Sequence, residues 1–224
     1  DISGRDLGGY VAEAKAAVEA QVALPTGYSV AWSGQFEYLE RATERLKIVV
    51  PVTLALIFLL LFLNFRALTE TLIVMLSLPF ALVGGIWLMY WLDYNLSIAA
   101  AVGFIGLIGI GAETGMVMLV YLDQALEEVK AKREAASEQL TKEDIYAAVV
   151  QGSVYRIRPV MMTVAGSIVG LFPVMVSSGT GSELMRRIAA PMVGGMVSAT
   201  VLTLIVIPAI YALVKEFSLH RAHR

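Results

Sequence analysis

The chain has 224 residues, 58% of them hydrophobic and 16% charged, with a net charge of −2. Soluble domains carry roughly 25% charged residues, so this composition points to a membrane protein and offers no concentrated basic face for nucleic acid. Cysteine is absent, which excludes disulfides, thiolate metal sites and a cysteine nucleophile.

In chain order, residues 1–43 read as a small α/β piece. Leu7, Val11, Ala14, Val18 and Val22 recur at helical spacing. Pro25-Thr26-Gly27 is a turn, and Tyr28–Gly34 alternates as a strand would, with Tyr28, Val30 and Trp32 on one face. So little strand cannot make a domain alone, and the missing strands are expected upstream. From Gln35 the pattern is helical and is expected to run unbroken into the first apolar span.

Residues 44–224 are expected to hold five transmembrane helices. Positions 48–122 and 159–214 contain only seven charges: Arg66, Glu70, Asp93, Glu113, Glu183, Arg186 and Arg187. Uncharged stretches run 48–65, 71–92, 94–112 (continuing past Glu113 to 122), 159–182 and 188–214. About 20 apolar residues cross a hydrocarbon core of roughly 30 Å. Between spans three and four lies a charged loop, 123–158. There Thr141-Lys142-Glu143-Asp144 resembles a capping box ahead of Ile145, Ala148, Val149 and Gly152, which suits a short helix on the membrane surface. The charge run itself reads as a solvated face.

Lys and Arg in the joints set the direction. Ten of them lie in the 64–70 joint, the 123–158 loop and the C-terminal tail, against Arg186 and Arg187 on the other side. This places those joints and the C-terminus in the cytoplasm and residues 1–44 outside. A chain that starts outside at Asp1 without a signal sequence is expected to be the C-terminal piece of a longer protein.

Glu113 is the lone ionisable side chain well inside a span. It stands ten residues before Asp123, which marks the cytoplasmic end, so it lies about 15 Å up the helix and near the bilayer midplane. A carboxylate there costs roughly 2.5–3.5 kcal/mol and normally serves a proton or ion path. The bland alternative is a neutral acid held for packing. No Lys, Arg, Asp or His lies deep in the other four spans, so a charged partner is expected outside this chain.

Gly103, Gly106, Gly109, Gly111 and Gly115 stud span three, and Gly166, Gly170, Ala190, Gly194 and Ser198 repeat the small-xxx-small pattern. Met185, Met192 and Met196 fall on one stripe of the last helix. Thioethers suit soft monovalent ions such as Cu(I) and Ag(I), although most methionines in such helices are apolar filler. Met192 and Met196 read as filler. Met185, at the mouth of the span beside Glu183 and Arg186, is the exception. His220 and His223 in the tail are assigned no function.

Several stretches carry a family resemblance: Val30-Ala31-Trp32-Ser33-Gly34-Gln35-Phe36-Glu37, Pro79–Gly85, Ala112-Glu113-Thr114-Gly115, Arg156-Ile157-Arg158-Pro159 and Arg187–Met192. They resemble heavy-metal exporters of the resistance-nodulation-division (RND) superfamily, nearest to the copper/silver branch. The resemblance implies helices eight to twelve of a twelve-helix, α-helical polytopic pump, with residues 1–43 closing its α/β periplasmic porter subdomain. It implies a homotrimer in the bacterial inner membrane, joined to a periplasmic adaptor and an outer-membrane channel and driven by proton flow. Such a protein is a transporter and not an enzyme, with Cu(I)/Ag(I) as transported ion and no cofactor. Glu113 falls on the proton-relay glutamate, Thr163 and Arg156 on positions that assist the relay, and Met185 on a methionine of the metal pathway. Val160 departs from the pattern, since copper/silver pumps carry a lysine there. A pump for divalent metals (Zn/Co/Cd) or organic compounds is the alternative.

In the full-length pump in intact spheroplasts, a cysteine replacing Ser29 should react with a membrane-impermeant thiol reagent and one replacing Ser137 should not. Labelling at Ser137 without lysis reverses the orientation.

Overall fold

The computed structural model describes residues 7–23, 25 and 27–222. Residues 1–6 and His223 lie outside it, as do the side chains of Leu7 and His220. The elements are α1 (Leu7–Gln21), α2 (Gln35–Phe65), α3 (Leu68–Trp91), α4 (Ile98–Ala135), α5 (Lys142–Val176), α6 (Ser182–Val201) and α7 (Ile207–Ala222). A π-helical segment, Leu202–Val206, joins α6 to α7 without a break. Five helical stretches, counting α6 to α7 as one, are long and apolar enough to cross a membrane.

The expected strand does not form. Pro25 accepts a turn hydrogen bond from the Tyr28 N–H at 3.2 Å, and Gly27 takes φ +100°. Beyond that turn, residues 28–33 pair with nothing, and there is no strand among the described residues. A strand is stabilised by a neighbouring ladder, and an alternating sequence without one gains nothing from extension. What does form near here is helical: α1 rests Lys15 over the Phe36 ring at 4.4 Å, and α2 runs unbroken from Gln35 to Phe65.

The surface helix expected from 141 onward is also corrected. Its capping box is present: Thr141 Oγ1 accepts from the Asp144 N–H at 3.3 Å, and the Asp144 carboxylate accepts from the Thr141 N–H at 2.9 Å. The helix then continues through Pro159 to Val176, because Ile145, Ala148, Val149 and Gly152 are buried against α4 and not turned to the membrane. A Cβ on Gly152 would lie 3.0 Å from the Tyr121 carbonyl oxygen. Pro159 removes one backbone hydrogen bond without ending the helix. Arg133 of α4 fixes the joint by donating to Asp144 at 2.7 Å and to Glu138.

Helices α3 and α6 cross backbone against backbone. A Cβ on Gly84 would sit 2.3 Å from the Gly194 carbonyl oxygen, and one on Gly194 would sit 2.4 Å from that of Gly84. Ser198 locks the crossing by donating to the Ala81 carbonyl at 2.7 Å and accepting from the Gly84 N–H at 3.2 Å. Gly103 of α4 meets α6 in the same way: a Cβ there would lie 2.3 Å from the Ile188 carbonyl oxygen. Gly109, Gly166 and Gly170 meet nothing within 4 Å. Small residues bring helices together in lipid because apolar side chains gain little by leaving it.

Gly194→Val should therefore break the α3–α6 crossing and lower thermal stability in detergent by more than about 2 kcal/mol, the range of overpacked cores. Gly109→Ala should match or slightly exceed the parent, since alanine favours a helix by about 1 kcal/mol.

Candidate functional site

The residues singled out by the sequence lie mainly on α4 and α5, so the register between those helices decides what they can do together. The Arg156 guanidinium lies 5.3 Å from the Tyr121 ring centre, a cation–π contact. Higher up, Ile110 and Thr114 of α4 share a small cavity with Val160 and Val164 of α5. Residue numbers fall on α4 as they rise on α5, so the helices are antiparallel. Climbing from the Tyr121–Arg156 contact, eight residues of α4 reach Glu113 and seven of α5 reach Thr163, rises of about 12 and 11 Å. Glu113 and Thr163 stand at one depth.

Both are exposed, on faces that no other helix of this chain covers. Glu113 has no hydrogen-bond or ion-pair partner among the described residues. The Thr163 hydroxyl bonds the carbonyls of Pro159 and Val160 in its own helix, at 3.2 and 3.0 Å, which leaves its lone pairs free to accept. Arg156, about two turns below, is half-buried, and its Nε is buried without a partner. A donor left unsatisfied costs about 1–3 kcal/mol, so an acceptor at this point would be held firmly. The surfaces of α4 and α5 thus present an exposed carboxyl and an exposed hydroxyl at one depth, with the Arg156 guanidinium about two turns below.

Val160, the departure from the pattern of the resemblance, is buried and lines the cavity between α4, α5 and α6. That cavity is about 10 Å³, near the room one water needs. Thr114, Thr200 and Thr203 line it, the last within the π-helical segment. Thr114 and Thr200 donate to their own helix carbonyls, at 2.8 and 2.7 Å. Sequence reasoning missed these threonines, because nothing in their spacing along the chain brings them together.

Met185 sits in the first turn of α6 and is 53% exposed. Beside it, Arg186 donates to the Ser177 carbonyl and closes the α5–α6 loop, where Gly179 and Gly181 take positive φ. Met185 is not in contact with the Glu113 face, since it belongs to the far end of α6. Met192 packs beside Gly106, and Met196 is buried at the threonine cavity. The stripe thus has one open thioether and two packed ones.

Residues 1–215 match the AcrB/AcrD/AcrF family, and the chain belongs to it. Within that family its similarity runs to heavy-metal efflux proteins. It is 49% identical over 217 residues to the putative cation efflux system protein SilA of Salmonella typhimurium, covering 96% of this chain and 20% of that protein. It is 49% identical over 226 residues to the cation efflux system protein CusA of Escherichia coli strain K12, covering 100% and 21%. The cobalt-zinc-cadmium resistance protein CzcA of Cupriavidus metallidurans is 41% identical over 213 residues, covering 95% and 19%. A crystal structure of a heavy metal efflux pump superposes with a TM-score of 0.78 at 34% identity, covering 95% of this chain and 20% of that one. The chain spans about a fifth of the length of these relatives.

Proposed function

We propose that this chain supplies the proton-carrying helices of a proton-driven exporter of Cu(I) and Ag(I). The pump would be a homotrimer in the bacterial inner membrane, working with a periplasmic adaptor and an outer-membrane channel. The observation that carries the reading is Glu113: a mid-span carboxyl without a partner among the described residues, level with Thr163 and above Arg156, whose Nε is unsatisfied. Protonated, Glu113 is neutral and tolerates an apolar neighbour. Ionised, it needs a cation or hydrogen-bond donors. A side chain that alternates between these states makes the packing of α4 against a neighbouring helix depend on proton occupancy. Arg156 would hold an acidic side chain on that neighbour, and Thr163 would accept a proton donor beside Glu113.

Met185 supports a monovalent soft cargo. A thioether is uncharged, so it holds Cu(I) or Ag(I) weakly and releases it without stranding a buried charge. Divalent cargo such as Zn(II) prefers imidazole, carboxylate or thiolate. The 41% identity to a cobalt-zinc-cadmium resistance protein makes divalent export the second reading.

In the full-length pump, Glu113→Gln should abolish metal export while expression and trimer assembly stay normal. Export at the parental rate would remove Glu113 from the proton path. Met185→Leu changes volume little, so a packing role limits its effect to less than about 1.5 kcal/mol of stability with transport intact. A place on the metal pathway instead gives a stable pump whose cells lose silver and copper tolerance. Cells that lose zinc or cobalt tolerance in their place would establish the divalent reading.

A further inference from the structure

A second polar assembly lies away from the Glu113 face, at the end of the bundle read as cytoplasmic. Lys215 of α7 places Nζ 2.7 Å from Glu70 Oε1 of α3 and 3.7 Å from Asp123 Oδ1 of α4. The Tyr211 hydroxyl, one turn before Lys215, donates to the same Asp123 oxygen, and the ammonium lies 5.0 Å from the Tyr211 ring centre. Tyr211 is fully buried and Glu70 is 8% exposed. Four side chains from three helices, up to 145 residues apart, thus form one connected cluster.

Two features set it apart from a simple ionic clasp. Its two carboxylates face one ammonium, so the ionised cluster carries an uncompensated negative charge. Glu70 Oε2 is also buried with no partner, an arrangement that costs free energy unless a proton or donor joins it. Asp123, meanwhile, lines an open cavity of about 550 Å³ together with Asn64, Gln124, Glu127 and Glu128. The cluster therefore reaches from an open crevice to an acid in the protein interior. The titratable groups around it are Glu70 on α3, Asp123, Glu127 and Glu128 on α4, and Tyr211 and Lys215 on α7.

We propose that this cluster is the proton-release station of the pump, with Asp123 as the group that delivers the proton to cytoplasmic water. This rests on the reading of Glu113 as proton carrier. Asp123 stands ten residues below Glu113 on α4, about 15 Å along the axis. A proton arriving from above binds an Asp123 carboxylate oxygen, and the cluster becomes neutral, with Lys215 paired to Glu70. The O–H bond then breaks toward a crevice water, which becomes hydronium, and Asp123 regains its attraction to Lys215. Tyr211 holds the Asp123 oxygen in place by its hydrogen bond.

The test uses the full-length pump in proteoliposomes, with a pH-sensitive dye on the cytoplasmic side and silver as cargo. Asp123→Asn cannot take the proton, and release should slow by at least about a hundredfold, the lower end of what a lost proton-transfer group costs. A small weak acid such as azide, added on that side, should restore the rate, which a merely structural defect would not allow. Tyr211→Phe, which loses only the hydroxyl, should slow release less than Asp123→Asn. Asp123→Glu keeps a carboxyl and should retain release. If Asp123→Asn misfolds, rescue in Lys215→Met, whose acids have lost their ammonium, is the second measurement, and unchanged release there overturns the station. Parental release in a folded Asp123→Asn pump, or slowed release that azide leaves unchanged, overturns it as well. If Glu113→Gln is inactive while Asp123→Asn is normal, the station alone falls. If Glu113→Gln pumps normally, the proton-carrier reading falls.

Discussion

Where α3 crosses α6, Gly84 and Gly194 leave no room for a methyl group between two backbones, and the rest of the bundle is placed around that contact. Apolar side chains gain little by exchanging lipid for protein, so close approach and hydrogen bonds between helices must hold this crossing. Ser198 supplies both hydrogen bonds, as donor to Ala81 and acceptor from Gly84. With α3 and α6 fixed, Gly103 brings α4 onto α6, and Gly152 brings α5 onto α4. The positions of Glu113 and Arg156 follow from that chain of contacts.

The consequence for function is an asymmetry between faces. Glycines on the inner face of α4 are closed against neighbours, while Glu113, Thr163, Gly166 and Gly170 lie on faces that no helix of this chain covers. A polar face of this kind is costly in lipid and suits contact with further protein. The close packing of α3, α4 and α6 supports an α4–α5 surface on which Glu113 and Thr163 stay exposed.

The two ends of the bundle differ as sharply. At one end Arg186 and two glycines of positive φ shape a short loop beside Met185. At the other, Arg133 meets Asp144 and Glu138, Lys142 meets Glu216, and Lys215 meets Glu70 and Asp123. The exposed members of this set contribute little stability each. The Glu70–Lys215 pair is more buried, and its value lies in tying α7 to α3.

The sequence by itself determined the five spans, the lone carboxyl at Glu113 and the capping box at Thr141, because each depends on residues adjacent along the chain. Hydropathy sums over a window, and a cap reads three residues ahead. Tertiary structure decided what neighbours in space control. Tyr28–Gly34 has strand alternation but lacks a partner strand, so it stays unpaired. Helix α5 runs through Pro159 to Val176, with Ile145, Ala148 and Gly152 buried before it. Gly84, Gly103 and Gly194 close on backbone while Gly109, Gly166 and Gly170 do not, though all six look alike in a list of small residues. Glu70 and Lys215 are 145 positions apart and become one ion pair only when the first turn of α3 lies beside α7.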